Sequence, residues 1–197
     1  ISFTINKGSK VLIYGESGSG KSSILNIISG ITKYNEGSIL IDDTITQKQR
    51  IELSNKVSLV SQESYLIDNE SIYYNICKKN KKKSQKDKKF DEIIKICDLE
   101  RFIKNITNKE HGIISENGKN ISGGEKQRIC IARSLYNDFD ILLMDEPFSA
   151  IDKNSRNKIF KNILLKFNNK TIVLVSHQKI NDKFIDKFIK INNGRSI

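Results

Sequence analysis

The stretch Gly15-Glu16-Ser17-Gly18-Ser19-Gly20-Lys21-Ser22 fits G-x-x-x-x-G-K-[ST]. Gly15, Gly18 and Gly20 free the backbone to curl its N–H groups around the phosphate oxygens of a nucleotide. Lys21 then reaches the β- and γ-phosphates, and the hydroxyl of Ser22 can ligate Mg²⁺. A second constellation is "ILLMDEP", Ile141 to Pro147, an apolar run that ends in two acids. Asp145 suits the Mg²⁺ shell, and Glu146 can polarise an attacking water as a general base. Pro147 is the only proline in the chain; with no amide N–H it ends the run and fixes the exit path. The third is "NISGGEKQRICIARSL", Asn120 to Leu135. Two readings of it stand. Ser122 and Glu125 have the spacing of a capping box. Alternatively, Gly123 and Gly124 keep a helix N-terminus bare to meet a phosphate.

These groups need elements to hold them. The runs "VLIYG" (11–15), "SILID" (38–42), "VSLVS" (57–61), "ILLMD" (141–145) and "TIVLVSH" (171–177) are short and apolar, and several do not alternate. Such runs read as strands covered on both faces, as in a parallel sheet flanked by helices. The phosphate loop follows the first of them and opens a helical pattern at 21–30, ended by Gly30. Residues 155–167 place Ile159, Ile163 and Phe167 on one stripe with Phe160 and Leu164. Helical periodicity also runs over 90–104. The expectation is an α/β core of residues 1–62 and 138–197 with a mainly helical insert at 63–137.

The chain has 197 residues and a formal net charge of +11. Eight lysines fall in "KKNKKKSQKDKK", Lys78 to Lys89, which reads as a solvated loop of biased composition in a chain rich in Lys, Asn and Ile. No apolar run reaches the length of a membrane span. Cys77, Cys97 and Cys130 lack metal-ligand spacing and read as buried thiols of a reducing compartment. The chain opens at Ile1 with no Met and no signal-like stretch, so it is expected to be a piece of something longer.

Taken in order, the motifs resemble those of the nucleotide-binding domain of ABC transporters. "GESGSGKS" with Ser23 resembles the Walker A loop, Gln62 the Q-loop glutamine, and "ISGGEKQR" (121–128) the signature. "ILLMDEP" resembles Walker B with its catalytic glutamate, Ser149 to Asp152 the D-loop, and His177 the switch histidine. The resemblance implies a P-loop NTPase (RecA-like) core with a mainly parallel sheet plus a helical ABC-specific subdomain. It implies ATP and Mg²⁺ as cofactors. ATP would be held by residues 15–23 and Gln62, and the metal by Ser22, Gln62 and Asp145. Lys21, Glu146 and His177 would act in catalysis. It also implies a second ATPase domain, identical or not, docked head-to-tail. Ser122, Gly123, Gly124 and Glu125 would then face ATP bound by that partner. The signature departs from the usual form at Ile121 and Glu125. The aromatic residue that stacks adenine in this family would precede Ile1, since Tyr14 lies within a strand.

Glu116 and Gly118 before the signature, and Asn75 in "SIYYNI", resemble exporters, with peptide and bacteriocin exporters nearest in wording. An exporter implies transmembrane partners, a place at the cytoplasmic face of a membrane, and no nucleic-acid partner. The alternatives are an importer-type subunit or a non-transport ABC ATPase acting on nucleic acid. Against the latter, no long coiled coil separates Lys21 from Ser122.

Overall fold

A computed structural model describes residues 1–41, 44–45, 56–79, 87–106, 112–177, 183–192 and 194–196. In chain order the elements are β1 (Lys10–Tyr14), α1 (Lys21–Ile28), β2 (Leu40–Ile41), β3 (Thr44–Ile45), β4 (Val57–Val60), α2 (Ile72–Cys77) and α3 (Lys88–Ile96). They continue with α4 (Glu100–Asn105), α5 (Gly123–Tyr136), β5 (Ile141–Asp145), α6 (Lys153–Lys166), β6 (Thr171–Ser176), β7 (Lys187–Asn192) and β8 (Arg195–Ser196). Two compact units emerge. One comprises Ile1–Ser61, Asp138–Glu146 and Asn169–Ile197; the other comprises Gln62–Asn137 and Pro147–Asn168.

The first unit is built on a sheet of order β4-β5-β6-β1-β7-β8. Its pairs are parallel except the closing β7–β8 turn. The non-alternating runs are explained by position. β1, β5 and β6 lie inside the sheet, and Val11, Leu12, Ile13, Leu142, Leu143 and Met144 are fully buried. One face packs Val11, Ile13, Leu143, Val173 and Val175 against Ile24 and Leu25 of α1. That apolar burial is the main stabilising term of the unit. α1 ends as expected: Gly30, at φ 77, donates its N–H to Ile27 O just past the helix.

Two strand expectations need correction. The 38–42 run is no buried parallel strand. Leu40–Ile41 pairs antiparallel with Thr44–Ile45, and Leu40 is exposed. The 57–61 run forms β4 at the sheet edge, so its burial alternates.

In the second unit α5 packs on α2 and α3, and α3 also meets α6. Residues 147–168 belong to this unit rather than to the core, where sequence placed them. The reason is the contact of α6 with α3. Ile159, Phe160, Ile163 and Leu164 are buried, and Phe160 meets Phe148 edge-on at 5.9 Å. Lys158 and Lys166 pair with Asp98 and Glu92 in the same unit. The periodic 90–104 segment is two helices, broken where Asp98 takes φ 54. Cys77, Cys97 and Cys130 are buried free thiols. Burial pushes Cys77 up to about 11, which keeps it protonated and unreactive at neutral pH.

The structure describes only the two ends of the lysine block. Residues 80–86 lie outside the described residues, but both flanks are helix ends. Lys78 closes α2 at φ 55, and Lys88 opens α3. Asp87 holds them together. It caps α3 through the Phe90 N–H and accepts the hydroxyls of Tyr73 and Tyr136, each at 2.7 Å. Lys79 and Lys89 lie over the Tyr136 ring, at 5.1 and 5.3 Å. Burial pushes the Asp87 carboxyl up, but the Phe90 N–H, both tyrosine hydroxyls and the Lys79 ammonium outweigh it and hold it down to about 2. A carboxyl held below its unfolded value stabilises the fold above pH ~4, and that stability is lost as pH falls toward 2. Asp87→Asn should therefore cost on the order of 2 kcal/mol at neutral pH. Melting temperatures of wild type and variant, followed from pH 6 to pH 2, should converge at the acid end. A constant gap would refute the charge-based account.

Candidate functional site

β6 lies between β1 and β5 in one parallel sheet, so the carboxyl ends of all three strands share one edge. Tyr14 pairs with Ser176 and Asp145 with Val175. The chain leaves these ends as the loop at Gly15, as Glu146 and as His177. In α/β sheets that edge is where ligands bind.

The loop is closely fixed. Gly18 and Gly20 take φ 75 and 99, in the left-handed region that glycine tolerates. Gly20 stands at the N-cap of α1, so the first N–H groups of that helix open toward the loop. Ser19 and Lys21 are buried, while Glu16, Ser17 and Ser23 are exposed. The Lys21 ammonium donates to Gly15 O at 2.9 Å and to Glu16 O at 2.6 Å. A cation is thereby held across the mouth of the loop.

Gly15 has a reason that the motif does not reveal. A Cβ added there would lie 2.1 Å from the Ile191 carbonyl oxygen of β7. Backbone cannot yield that distance cheaply. Gly15→Ala should destabilise the chain by about 2 kcal/mol or more, read as a fall in melting temperature with no nucleotide present. An unchanged melting temperature would mean that the loop, rather than the strand contact, sets this position.

Glu146 sits at φ 45, a left-handed conformation costly for a side chain with a Cβ. Its N–H donates to Val175 O at 3.2 Å, which pins it to the end of β6. His177, the residue after β6, donates from Nε2 to Glu146 Oε1 at 2.7 Å. The carboxylate is thus aimed by a neighbour and by strained backbone together. Sequence named both residues but gave no sign of this pairing. Asp145 is buried, and its Oδ1 has no hydrogen-bond partner among the described residues. A buried carboxylate oxygen without a donor is unfavourable unless a cation or a metal-bound water meets it. No cluster of three or more His, Cys, Asp and Glu gathers among the described residues. Nucleotide sites hold Mg²⁺ by one or two side chains together with phosphates and water, and the buried Asp145 carboxylate is one side chain of that chemistry. Ser22, half-buried in the first turn of α1, is the other protein donor that fits.

The remaining candidates belong to the second unit. Gln62 is exposed in the segment after β4. Ser122 and Glu125 form the full capping box: Ser122 Oγ accepts the Glu125 N–H, and Glu125 Oε2 accepts from Ser122 N at 2.8 Å. So the capped helix is real, and it also leaves Ser122 and Gly123 exposed at the start of α5. Gly124 also meets a close neighbour within the chain. A Cβ there would stand 3.0 Å from the Ala150 carbonyl oxygen. Ser149 and Ala150 are themselves held by Gln127, a residue the sequence reading passed over. Asp152 caps α6 through the N–H groups of Asn154 and Ser155.

Asn75 is a buried hub. Its side chain accepts from Ile67 N and from Arg133 Nη2, and donates to Ile67 O and Ser71 O. Arg133 also donates to the carbonyls of Asn75 and Tyr65. The 65–67 segment is thereby clamped to α5, and Tyr65 and Ile67 are left exposed. Ser71 bridges Ile113, also exposed, and the 3₁₀ turn Glu116–Gly118 follows three residues further along the chain.

A phosphate loop, an acidic strand end and a helix opening on Ser-Gly-Gly define a P-loop nucleotide-binding domain of the ABC type. The family model for ABC transporter matches residues 1–149, and the chain belongs to that family, whose nucleotide-binding domains are ATPases. It is 34% identical over 99% of its length to the lacticin-481/lactococcin-DR transport/processing ATP-binding protein of Lactococcus lactis, of which it spans 27%. It is 37% identical over 98% of its length to the phosphonates import ATP-binding protein PhnC of Fusobacterium nucleatum, spanning 82% of that protein. Among solved structures it resembles a bacterial Atm1-family ABC exporter with ATP bound. The TM-score is 0.89 and the identity 30%, over 100% of this chain and 34% of that one.

Proposed function

We propose that this chain is the ATP-hydrolysing domain of an exporter, working at the cytoplasmic face of a membrane with transmembrane domains and a second ATPase domain. The observation that carries the hydrolytic reading is the Glu146–His177 pair at the sheet edge that also bears the phosphate loop. In this reading Lys21 and the N–H groups of the loop bind the β- and γ-phosphates. Ser22 and Asp145 would hold the shell of Mg²⁺, which would supply charge neutralisation on the phosphates when bound. Glu146 takes the proton from the attacking water, and His177 keeps its carboxylate in place. Ser122, Gly123 and Gly124 offer helix N–H groups and a hydroxyl to ATP held by the partner domain.

The exporter reading is supported by the likeness to the lacticin transporter and to the Atm1-family structure, and by Asn75, Glu116 and Gly118. PhnC is an import protein by name and favours the other direction of transport. Transport direction is decided by the full-length polypeptide in inside-out vesicles. ATP supplied outside should drive cargo inward for an exporter, and no ATP-dependent uptake should occur for an importer.

The exposed apolar side chains of Tyr65, Ile67 and Ile113 are where a transmembrane partner would bear on the domain. Tyr65→Asp combined with Ile113→Asp should leave basal ATP hydrolysis within about threefold, under roughly 1 kcal/mol in barrier. Cargo movement should fall by about tenfold or more. Transport assayed beside phosphate release checks this; unaltered coupling would place the partner elsewhere.

A further inference from the structure

We propose that Gln127 is a positioning residue that locks the 149–150 loop to the first turn of α5, so that the two move as one piece when Ser122 engages a partner's nucleotide. The proposal rests on the reading above, in which 122–124 face ATP bound by another domain.

Gln127 is 2% exposed, and both ends of its amide point to the same short loop. Nε2 donates to Ser149 Oγ at 3.0 Å, and Oε1 accepts the Ala150 N–H at 2.9 Å. Two bonds of opposite polarity fix the amide plane and the loop together. Ser149 and Ala150 are exposed, so water could have satisfied both groups. A buried side chain does so instead. The contact is tight on the backbone side too. A Cβ on Gly124 would fall 3.0 Å from Ala150 O, and one on Gly123 would fall 3.7 Å from Ala150 Cβ. The loop therefore rests on the helix end that carries Ser122. Two residues further on, Asp152 fixes the loop to α6 through two N–H groups at 3.0 Å each. The loop is thus held on both sides.

The chain connectivity gives this its consequence. Glu146 precedes Ser149 by three positions, and Pro147 removes one backbone freedom between them. A shift of the α5 N-terminus on meeting phosphate is delivered to Ser149 and Ala150 by Gln127, and onward along that short tether to the residue that aims the water. Gln127 touches no nucleotide in this scheme. It sets how closely engagement of the partner's ATP is tied to hydrolysis at the chain's own site.

A merely structural glutamine would affect stability alone. The test uses the full-length polypeptide with three variants: Gln127→Met, which keeps the shape without the bonds; Gln127→Glu, which keeps the acceptor for Ala150 N–H; and Ser149→Ala, which removes one bond from the exposed side. Binding of trinitrophenyl-ATP and the KM for ATP should stay within about twofold, while kcat falls about tenfold in Gln127→Met and in Ser149→Ala. Gln127→Glu should recover part of that loss. The double variant Gln127→Met with Ser149→Ala should be no slower than either single, since both remove one linkage. Unchanged kcat beside a lowered melting temperature overturns the proposal, and so does additive loss. If Gln127→Met does not fold, Ser149→Ala decides alone, because it leaves the buried side untouched. Ser122→Arg run in parallel separates the two layers. If it leaves ATP-driven dimerisation intact, the reading of 122–124 has failed. If it abolishes dimerisation while Ser149→Ala is silent, only the linkage has failed.

Discussion

Lys21→Ala should lower steady-state phosphate release by on the order of a hundredfold or more, comparable to removing a principal electrostatic stabiliser of the transferred group. Lys21 is 4% exposed, and its ammonium is carried by the loop's own carbonyls, Gly15 O and Glu16 O. No other cation of the loop stands in its place, since residues 15–23 contain only this one basic side chain. Alanine would leave the β/γ-phosphates without a counter-charge and would leave two carbonyls facing them. Binding should weaken as well, because the lost charge acts in the ground state and the transition state alike. Arginine is no rescue. Its planar fork is wider than the ammonium that Gly15 O, Glu16 O and Ser19 Oγ surround. Turnover by the full-length polypeptide, with Mg²⁺ and at saturating ATP, is the measurement. Near-normal turnover in Lys21→Ala would sink the phosphate-loop assignment. Chelation of Mg²⁺ in the wild type should give a loss of similar size if Asp145 and Ser22 hold the ion.

Much of this site is legible as local pattern. A phosphate loop needs glycines, a lysine and a hydroxyl in consecutive positions, and β1, β5 and β6 announce themselves as apolar runs without alternation. What escapes sequence reading is set by contacts between distant segments. Gly15 reads as loop flexibility, yet its limiting neighbour is Ile191 O in β7. Gly124 reads as room for phosphate, yet its limiting neighbour is Ala150 O. The left-handed backbone of Glu146 is invisible too, because the Glu-Pro pair fixes no sign of φ. Its hydrogen bond to Val175 O does so only once β6 lies beside β5. The pair of 40–41 with 44–45 misleads for the opposite reason: an apolar run of four or five residues has the same composition whether or not anything covers it. Likewise α6 follows Walker B in sequence and reads as part of the core. Its Lys158 and Lys166 pair with Asp98 and Glu92 of the helical unit instead.

Glu146→Gln should retain ATP binding and lose hydrolysis. The glutamine keeps the shape and can still bond His177, but it cannot take a proton from water. The loss should be on the order of a hundredfold or more, as for removal of a general base. Lys21, Ser22 and Gln62 are untouched, so nucleotide should bind as before. If hydrolysis is what releases the paired domains, the variant should accumulate as an ATP-bound dimer, while wild type with Mg-ATP should remain mainly dissociated. Adding Ser122→Arg should abolish that dimer. Ser122 is exposed at the N-cap of α5, so the new side chain has space in a single domain and need not disturb the fold. It would forfeit the cap, at a cost of about 1 kcal/mol. Its bulk, however, would stand where the partner's γ-phosphate must approach the first turn. The charge alone cannot offset this, because a long arginine holds the phosphate away from the N–H groups of Gly123 and Gly124. Size-exclusion chromatography of Glu146→Gln and of Glu146→Gln with Ser122→Arg, in Mg-ATP and in Mg-ADP, reads both outcomes. Normal hydrolysis by Glu146→Gln removes Glu146 as the base. A double variant that dimerises as well as its parent reduces Ser122 to a helix cap, for which the capping box with Glu125 would then be the whole explanation.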